Sequence, residues 1–148
     1  MQKTTLVDKG VVKDFLYDAY AATRENRLST GNFLLRPTSP MPKVAPSNFF
    51  IAPSEVSVND LLRQVEHGIA IETIEHLEWT PGAGHTFILK GAGRRISGGN
   101  WGEPVWEIHL IADLKDLFSR AVKVGNDLNF FGGYGSPSIL FENMPLGI

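Results

Sequence analysis

Three features of the sequence predict an α+β fold with a mainly antiparallel β-sheet. Apolar and polar residues alternate in several short segments, most clearly from Val105 to Ile111, and glycine-bearing turns separate these segments. Two stretches, starting at Ser57 and Asp113, carry helix caps followed by apolar residues at helical spacing. With 148 residues and 43% hydrophobic content the chain can bury one sizeable core, so residues 1–148 are expected to form a single domain.

From the start, Thr4 to Val7 and Val11 to Tyr17 flank Asp8-Lys9-Gly10, a short glycine-containing turn that suits a β-hairpin. Ala19 to Arg27 has helical propensity but few apolar positions. It runs into Pro37, Pro40, Pro42 and Pro46, whose fixed φ and missing N–H groups predict an extended, irregular loop over residues 33–46. Ser57 then supplies an N-cap hydroxyl and Asp60 an acid at N3, while Val58, Leu61, Leu62 and Val65 recur at helical spacing as far as Gly68, a natural C′ residue. An amphipathic helix over about 57–68 is expected, ending at His67, where the helix dipole favours an imidazolium.

Ile69 to Trp79, His85 to Leu89 and Ser138 to Phe141 read as strands, with turn clusters at Thr80-Pro81-Gly82 and Ser97-Gly98-Gly99-Asn100. The alternation from Val105 places Trp106, Ile108 and Leu110 on one face of a strand and Val105, Glu107, His109 and Ile111 on the other. Asp113 caps a second amphipathic helix, about 113–125, with Asp116 in its first turn, Leu114, Leu117, Phe118 and Ala121 on one face, and Gly125 at C′.

The net charge of −2, from 14 basic and 16 acidic residues that are interspersed, gives no footprint for neutralising a phosphate backbone, so nucleic acid is not expected as a partner. The absence of cysteine excludes disulfides, thiolate zinc ligands and thiol nucleophiles. It also fits a reducing compartment. Met1-Gln2-Lys3-Thr4-Thr5 has no charged region leading into an apolar run, and no segment approaches the roughly 18 apolar residues that span a bilayer. A cytoplasmic protein without membrane contact is expected.

The histidines, His67, His76, His85 and His109, are spaced so that no two share a helical turn, and a metal set of His76, His85 and Glu78 has no supporting short motif. Gly91-Ala92-Gly93 lacks the third glycine and following helix of a dinucleotide fingerprint, and reads as a strand bend followed by two solvated arginines, Arg94 and Arg95. There is no Gly-x-Ser-x-Gly elbow. Glu72, Glu75 and Glu78 read as a wet strand edge before an acid/base pair. What remains is Gly132-Gly133-Tyr134-Gly135-Ser136-Pro137-Ser138, whose three glycines permit close backbone approach by an extended peptide.

Val124-Gly125-Asn126-Asp127-Leu128 and the glycine-rich run from Gly132 to Phe141 resemble the C-terminal signature of the TldD/PmbA family, the "modulator of DNA gyrase" proteins. Gly10 to Tyr20, Thr23-Arg24, Ser29-Thr30-Gly31-Asn32 and Ser47 to Pro53 match in the same order, so the resemblance spans nearly the whole chain. It implies the C-terminal part of a family member. Catalytic members are zinc metallopeptidases with a His-Glu-x-x-x-His helix and a cysteine in the C-terminal glycine-rich loop. This chain has no His-Glu dipeptide, and it reads Phe130-Phe131-Gly132-Gly133-Tyr134-Gly135 where that cysteine belongs. The resemblance therefore implies the non-catalytic PmbA (TldE-like) type, with no catalytic residue and no metal ligand in this chain.

On that reading the chain is a structural or substrate-cradling part of a peptidase assembly acting on unfolded peptides. Gly132, Gly133, Tyr134, Gly135, Ser136 and Asn126 line the cleft. The expected partner is a second copy or a zinc-bearing TldD-like subunit, meeting the hairpin of residues 4–17 or the loop from Pro37 to Pro46. Two alternatives stand beside it: a relative of a catalytic member whose metal motif lies outside this sequence, and a small-molecule binding domain with a pocket around Trp79, Trp101 and Trp106.

Overall fold

A computed structural model describes residues 3–36, 39–80 and 84–147. The expected α+β fold is present, with antiparallel pairing dominant. In chain order its elements are β1 (Val7–Asp8), β2 (Val11–Val12), α1 (Ala19–Arg24), β3 (Leu34–Arg36), β4 (Ser39–Lys43), β5 (Phe49–Phe50), α2 (Val58–Leu62), β6 (His67–Trp79), β7 (Thr86–Ser97), β8 (Asn100–Asp113), α3 (Leu114–Ser119), β9 (Ala121–Val124), β10 (Asn129–Phe131), β11 (Tyr134–Ser136), β12 (Ile139–Phe141) and β13 (Leu146–Gly147). They fall into two compact units, one holding the chain up to Phe50 together with Phe130–Gly135, the other Ile51–Asn129 together with the chain from Ser136.

In the first unit, Lys9 and Gly10 both take positive φ, 48° and 78°, which gives the turn the twist a two-residue hairpin needs, and β1 pairs with β2 across it. Asp18 caps α1 by accepting from the Ala21 N–H at 2.7 Å. Buried Tyr17 ties the helix to the segment that follows. Its N–H donates to Thr30 Oγ1 at 2.8 Å, its carbonyl accepts from Thr30 N and Oγ1 at 3.0 Å, and its hydroxyl donates to Glu25 Oε2 at 2.9 Å. Residues 33–46 depart from the irregular loop expected of them, because β3 and β4 pair antiparallel within that stretch. Both strands of a two-stranded ribbon are edges, the one place in a sheet where Pro40 and Pro42 need not break a ladder. Pro37 lies outside the described residues, as do residues 81–83 of the expected turn at Thr80.

The second unit is built on a four-stranded sheet in the order β13-β8-β7-β6, antiparallel throughout. Gly98 and Gly99, at φ 53° and 74°, form the expected turn between β7 and β8. Phe87, Leu89, Leu110 and Ala112 make the core, with Ile71, Leu117, Met144 and Leu146 packed against it, and Ile108 is fully enclosed. Bulges change the faces expected from simple alternation. Opposite Ala92 alone, β8 has both Trp106 and Glu107, and Glu107 takes φ 59°. The extra residue moves Trp106 off the face of Ile108 and Leu110 and leaves it 71% exposed, so Val105, not Trp106, continues the buried face.

Both predicted helices start at their caps and stop early. Ser57 Oγ accepts from the Asp60 N–H and Asp113 Oδ1 from the N–H groups of Lys115 and Asp116. Yet α2 ends at Leu62: the N–H groups of Gln64 and Val65 bond the Leu61 and Leu62 carbonyls in tight i→i−3 turns, and from His67 the chain pairs with β7, so His67 and Gly68 belong to β6 instead of a helix end. Likewise α3 ends at Ser119, and Ala121–Val124 becomes β9, paired with β12. Gly125 is not a left-handed cap: its φ is not positive, and it bridges to Val56.

Candidate peptide-binding surface

Four of the six expected cleft residues, Gly132, Gly133, Tyr134 and Gly135, lie together in the first unit on a small sheet ordered β10-β11-β5. The chain reverses at Gly132, where φ of 63° suits glycine, and the Gly133 carbonyl accepts from the Phe49 N–H at 2.8 Å. Parallel pairing sets Tyr134 opposite Phe49 and Gly135 opposite Phe50. Gly135 has a second reason to be glycine: a Cβ there would lie 2.9 Å from Phe130 Cε1 and 3.1 Å from Phe50 Cβ. The rings of Phe50 and Phe130 meet edge to face at 5.6 Å over this position.

The opposite face of the same sheet is open. Tyr134 and Phe49 share it, and strand alternation turns Phe131 away from Phe130 and onto it. Phe131 is 81% exposed, Tyr134 66% and Phe49 48%. Three aromatic side chains therefore stand in water on three adjacent strands. Of these rings Tyr134 is among the expected cleft residues, and Phe49 and Phe131 are not; the doublets Phe49-Phe50 and Phe130-Phe131 set one ring on each face of their strands, with Phe50 and Phe130 themselves 36% and 47% exposed.

The other two expected residues belong to the second unit. Asn126 is exposed in the bend after β9, and Ser136 is exposed with its hydroxyl donating to the Pro137 carbonyl at 2.9 Å. Their neighbourhood is held by Asp127. Partial burial works against its ionisation, but the Ser138 hydroxyl at 2.7 Å and N–H at 3.0 Å outweigh that and hold its carboxyl below the usual range.

A zinc site needs three or four converging nitrogen, oxygen or sulfur donors. His76 Nε2 lies 3.4 Å from Glu78 Oε2, but among the described residues no three such groups converge, so the residues present do not fit a zinc ion. Arg94 keeps an exposed side chain, as expected, but it is paired. It donates to Glu72 Oε1 from Nε at 3.0 Å and Nη2 at 2.5 Å, and its guanidinium stacks 4.2 Å over the Trp101 ring. The expected tryptophan pocket does not form either, because Trp79 pairs opposite Phe87 and Trp101 opposite Ile96, at opposite ends of β7.

Bulged antiparallel strands with short capped helices and a glycine-rich hairpin near the C-terminus define a recognisable class of domain. The chain matches the PmbA/TldA metallopeptidase C-terminal domain over residues 1–147, and it belongs to that family. It is 24% identical to a metalloprotease TldD homolog of Buchnera aphidicola subsp. Schizaphis graminum, over 99% of this chain and 30% of that protein. A metalloprotease PmbA homolog of Buchnera aphidicola subsp. Baizongia pistaciae is 28% identical over 97% of this chain and 30% of its own length. The fold also matches the crystal structure of TldE from Thermococcus kodakarensis, with a TM-score of 0.81 at 20% identity, covering 95% of this chain and 33% of that one. The chain thus spans about 30% of the length of these relatives. Among the described residues no helix is long and apolar enough to cross a membrane.

Proposed function

We propose that this chain is a non-catalytic, substrate-cradling region of a TldD/PmbA-type peptidase assembly, and that it holds unfolded polypeptide while a zinc-bearing TldD-like subunit cleaves it. The observation that carries this reading is the open aromatic face of Phe49, Phe131 and Tyr134. A short sheet with two edges offers main-chain N–H and C=O groups to an extended segment, which gives affinity without sequence preference. The rings add apolar and π contact for whatever side chains pass over them. At the hairpin tip nothing lies within 4 Å of where a Gly132 Cβ would stand, so a peptide backbone can come close there, while Gly133 leaves room for the chain's own Ser47 carbonyl.

The loop carries aromatic and glycine residues where catalytic members carry a cysteine ligand, which favours holding over cutting. The test is binding of a fluorescent, unfolded peptide followed by anisotropy. Replacing both Phe131 and Tyr134 by alanine should weaken binding at least tenfold without changing the circular dichroism spectrum. Unchanged affinity in that double variant would reject the aromatic face as the cradle.

A further inference from the structure

Charge is divided unevenly between the two units. The first holds seven basic residues against four acidic ones, and the second holds seven against twelve. Contacts within the first unit widen the difference. Asp14 accepts from the Phe15 N–H at 2.8 Å and lies 3.8 Å from Arg27, Asp18 caps α1, and Glu25 accepts from the Tyr17 hydroxyl. Three of the four carboxylates are thus engaged locally. Lys3, Lys9, Lys13, Arg24 and Lys43, by contrast, are exposed, and none of them forms an ion pair among the described residues. The strands β5, β10 and β11 carry no charged residue, so the aromatic face itself repels neither sign.

We propose that the face of Phe49, Phe131 and Tyr134 takes acidic unfolded polypeptide in preference to basic polypeptide, drawn by the positive potential of the unit that carries it. This preference rests on the peptide-holding role and names the class of polypeptide that role serves. A compact unit of this size has a radius of gyration of about 10 Å, and the Debye length at physiological salt is about 8 Å. The unpaired cations therefore act on a peptide at the face across little more than one screening length. They speed the arrival of an acidic segment, and the rings hold it once it has docked. The surplus carboxylates of the second unit compete for basic segments. A nucleic acid fits less well, because its backbone is charged at every residue and the chain as a whole is acidic.

Three fluorescent unfolded peptides of one length and one set of apolar residues, with net charges of about −4, 0 and +4, test this by anisotropy on the full chain. At about 50 mM salt the acidic peptide should bind at least about tenfold more tightly than the basic one, and at about 500 mM the gap should shrink to within about threefold. Lys9→Glu combined with Lys13→Glu should cut the low-salt preference at least about threefold. Lys115→Glu combined with Lys123→Glu, at exposed positions of the second unit, changes the net charge equally and should leave the preference within about twofold. A single-stranded oligonucleotide of the same length that bound more tightly than the acidic peptide would overturn the proposal. Equal affinities at low salt, a preference indifferent to salt, or the same loss in both double variants would also overturn it, while leaving the peptide-holding role standing. Failure of all three peptides to bind would remove that role, and the charge preference with it.

Discussion

Ser138 donates to Asp127 twice, through its N–H at 3.0 Å and its hydroxyl at 2.7 Å, and this pair closes the bend in which Gly125 sits. The Gly125 N–H donates to the Ser138 carbonyl at 2.7 Å, and its carbonyl accepts from Ser54 N at 2.9 Å. Ser54 Oγ also donates to the Val124 carbonyl. A segment from before α2 is thereby stitched to the end of β9 and the start of β12.

A side chain at Gly125 has nowhere to go. Its Cβ would lie 2.5 Å from Asp127 Oδ1, 3.2 Å from the Ser138 carbonyl oxygen and 3.3 Å from Leu61 Cδ1. Gly125→Val is expected to cost about 1–3 kcal/mol, the range for overpacking a tight site. Gly125→Ala should cost less but still lower the melting temperature, and calorimetry on both variants checks the order. Equal stability of all three proteins would contradict it.

Asp127 also makes a prediction about pH. Its folded pKa lies below the ordinary carboxylate value of about 3.9, so the bonds from Ser138 contribute stability above that value and lose it as pH falls through the lowered folded pKa. Asp127→Asn should therefore be less stable than the unaltered chain at neutral pH and should lose less on acidification below about pH 4. Urea titrations across that window measure the difference. Parallel acid limbs in the two proteins would show that Asp127 is not the group responsible.

At the bulge in β8, Glu107 holds φ of 59° without being glycine. The left-handed conformation costs an L-residue roughly 1–2 kcal/mol, part of which glycine gives back through its freer unfolded chain. Glu107→Gly should raise stability by a few tenths to about 1 kcal/mol. A loss of stability would mean that the Glu107 side chain contributes more than its backbone costs.

Local chemistry was legible in the sequence and long-range pairing was not. Ser57, Asp113, Asp8-Lys9-Gly10 and Gly98-Gly99 announced their caps and turns, because capping and positive φ are satisfied by residues close in sequence. The helices end before the residue spacing predicts because β7 draws His67 and Gly68 into a strand and β12 draws residues 121–124 into another. Trp106 was placed on the wrong face because a bulge leaves no mark in an alternation of apolar and polar letters. Within the candidate site, Gly132 to Gly135 were visible as a glycine-rich run, but the aromatic face became visible once β5 was seen to pair with β11.

The proposed role is to hold polypeptide without cutting it. Size-exclusion chromatography of fluorescein-labelled, unfolded casein mixed with the pure chain and equimolar zinc tests both halves at once. The label should elute with the chain and remain full length on a denaturing gel. Label that elutes at its own volume, or fragments whose release EDTA abolishes, would contradict it.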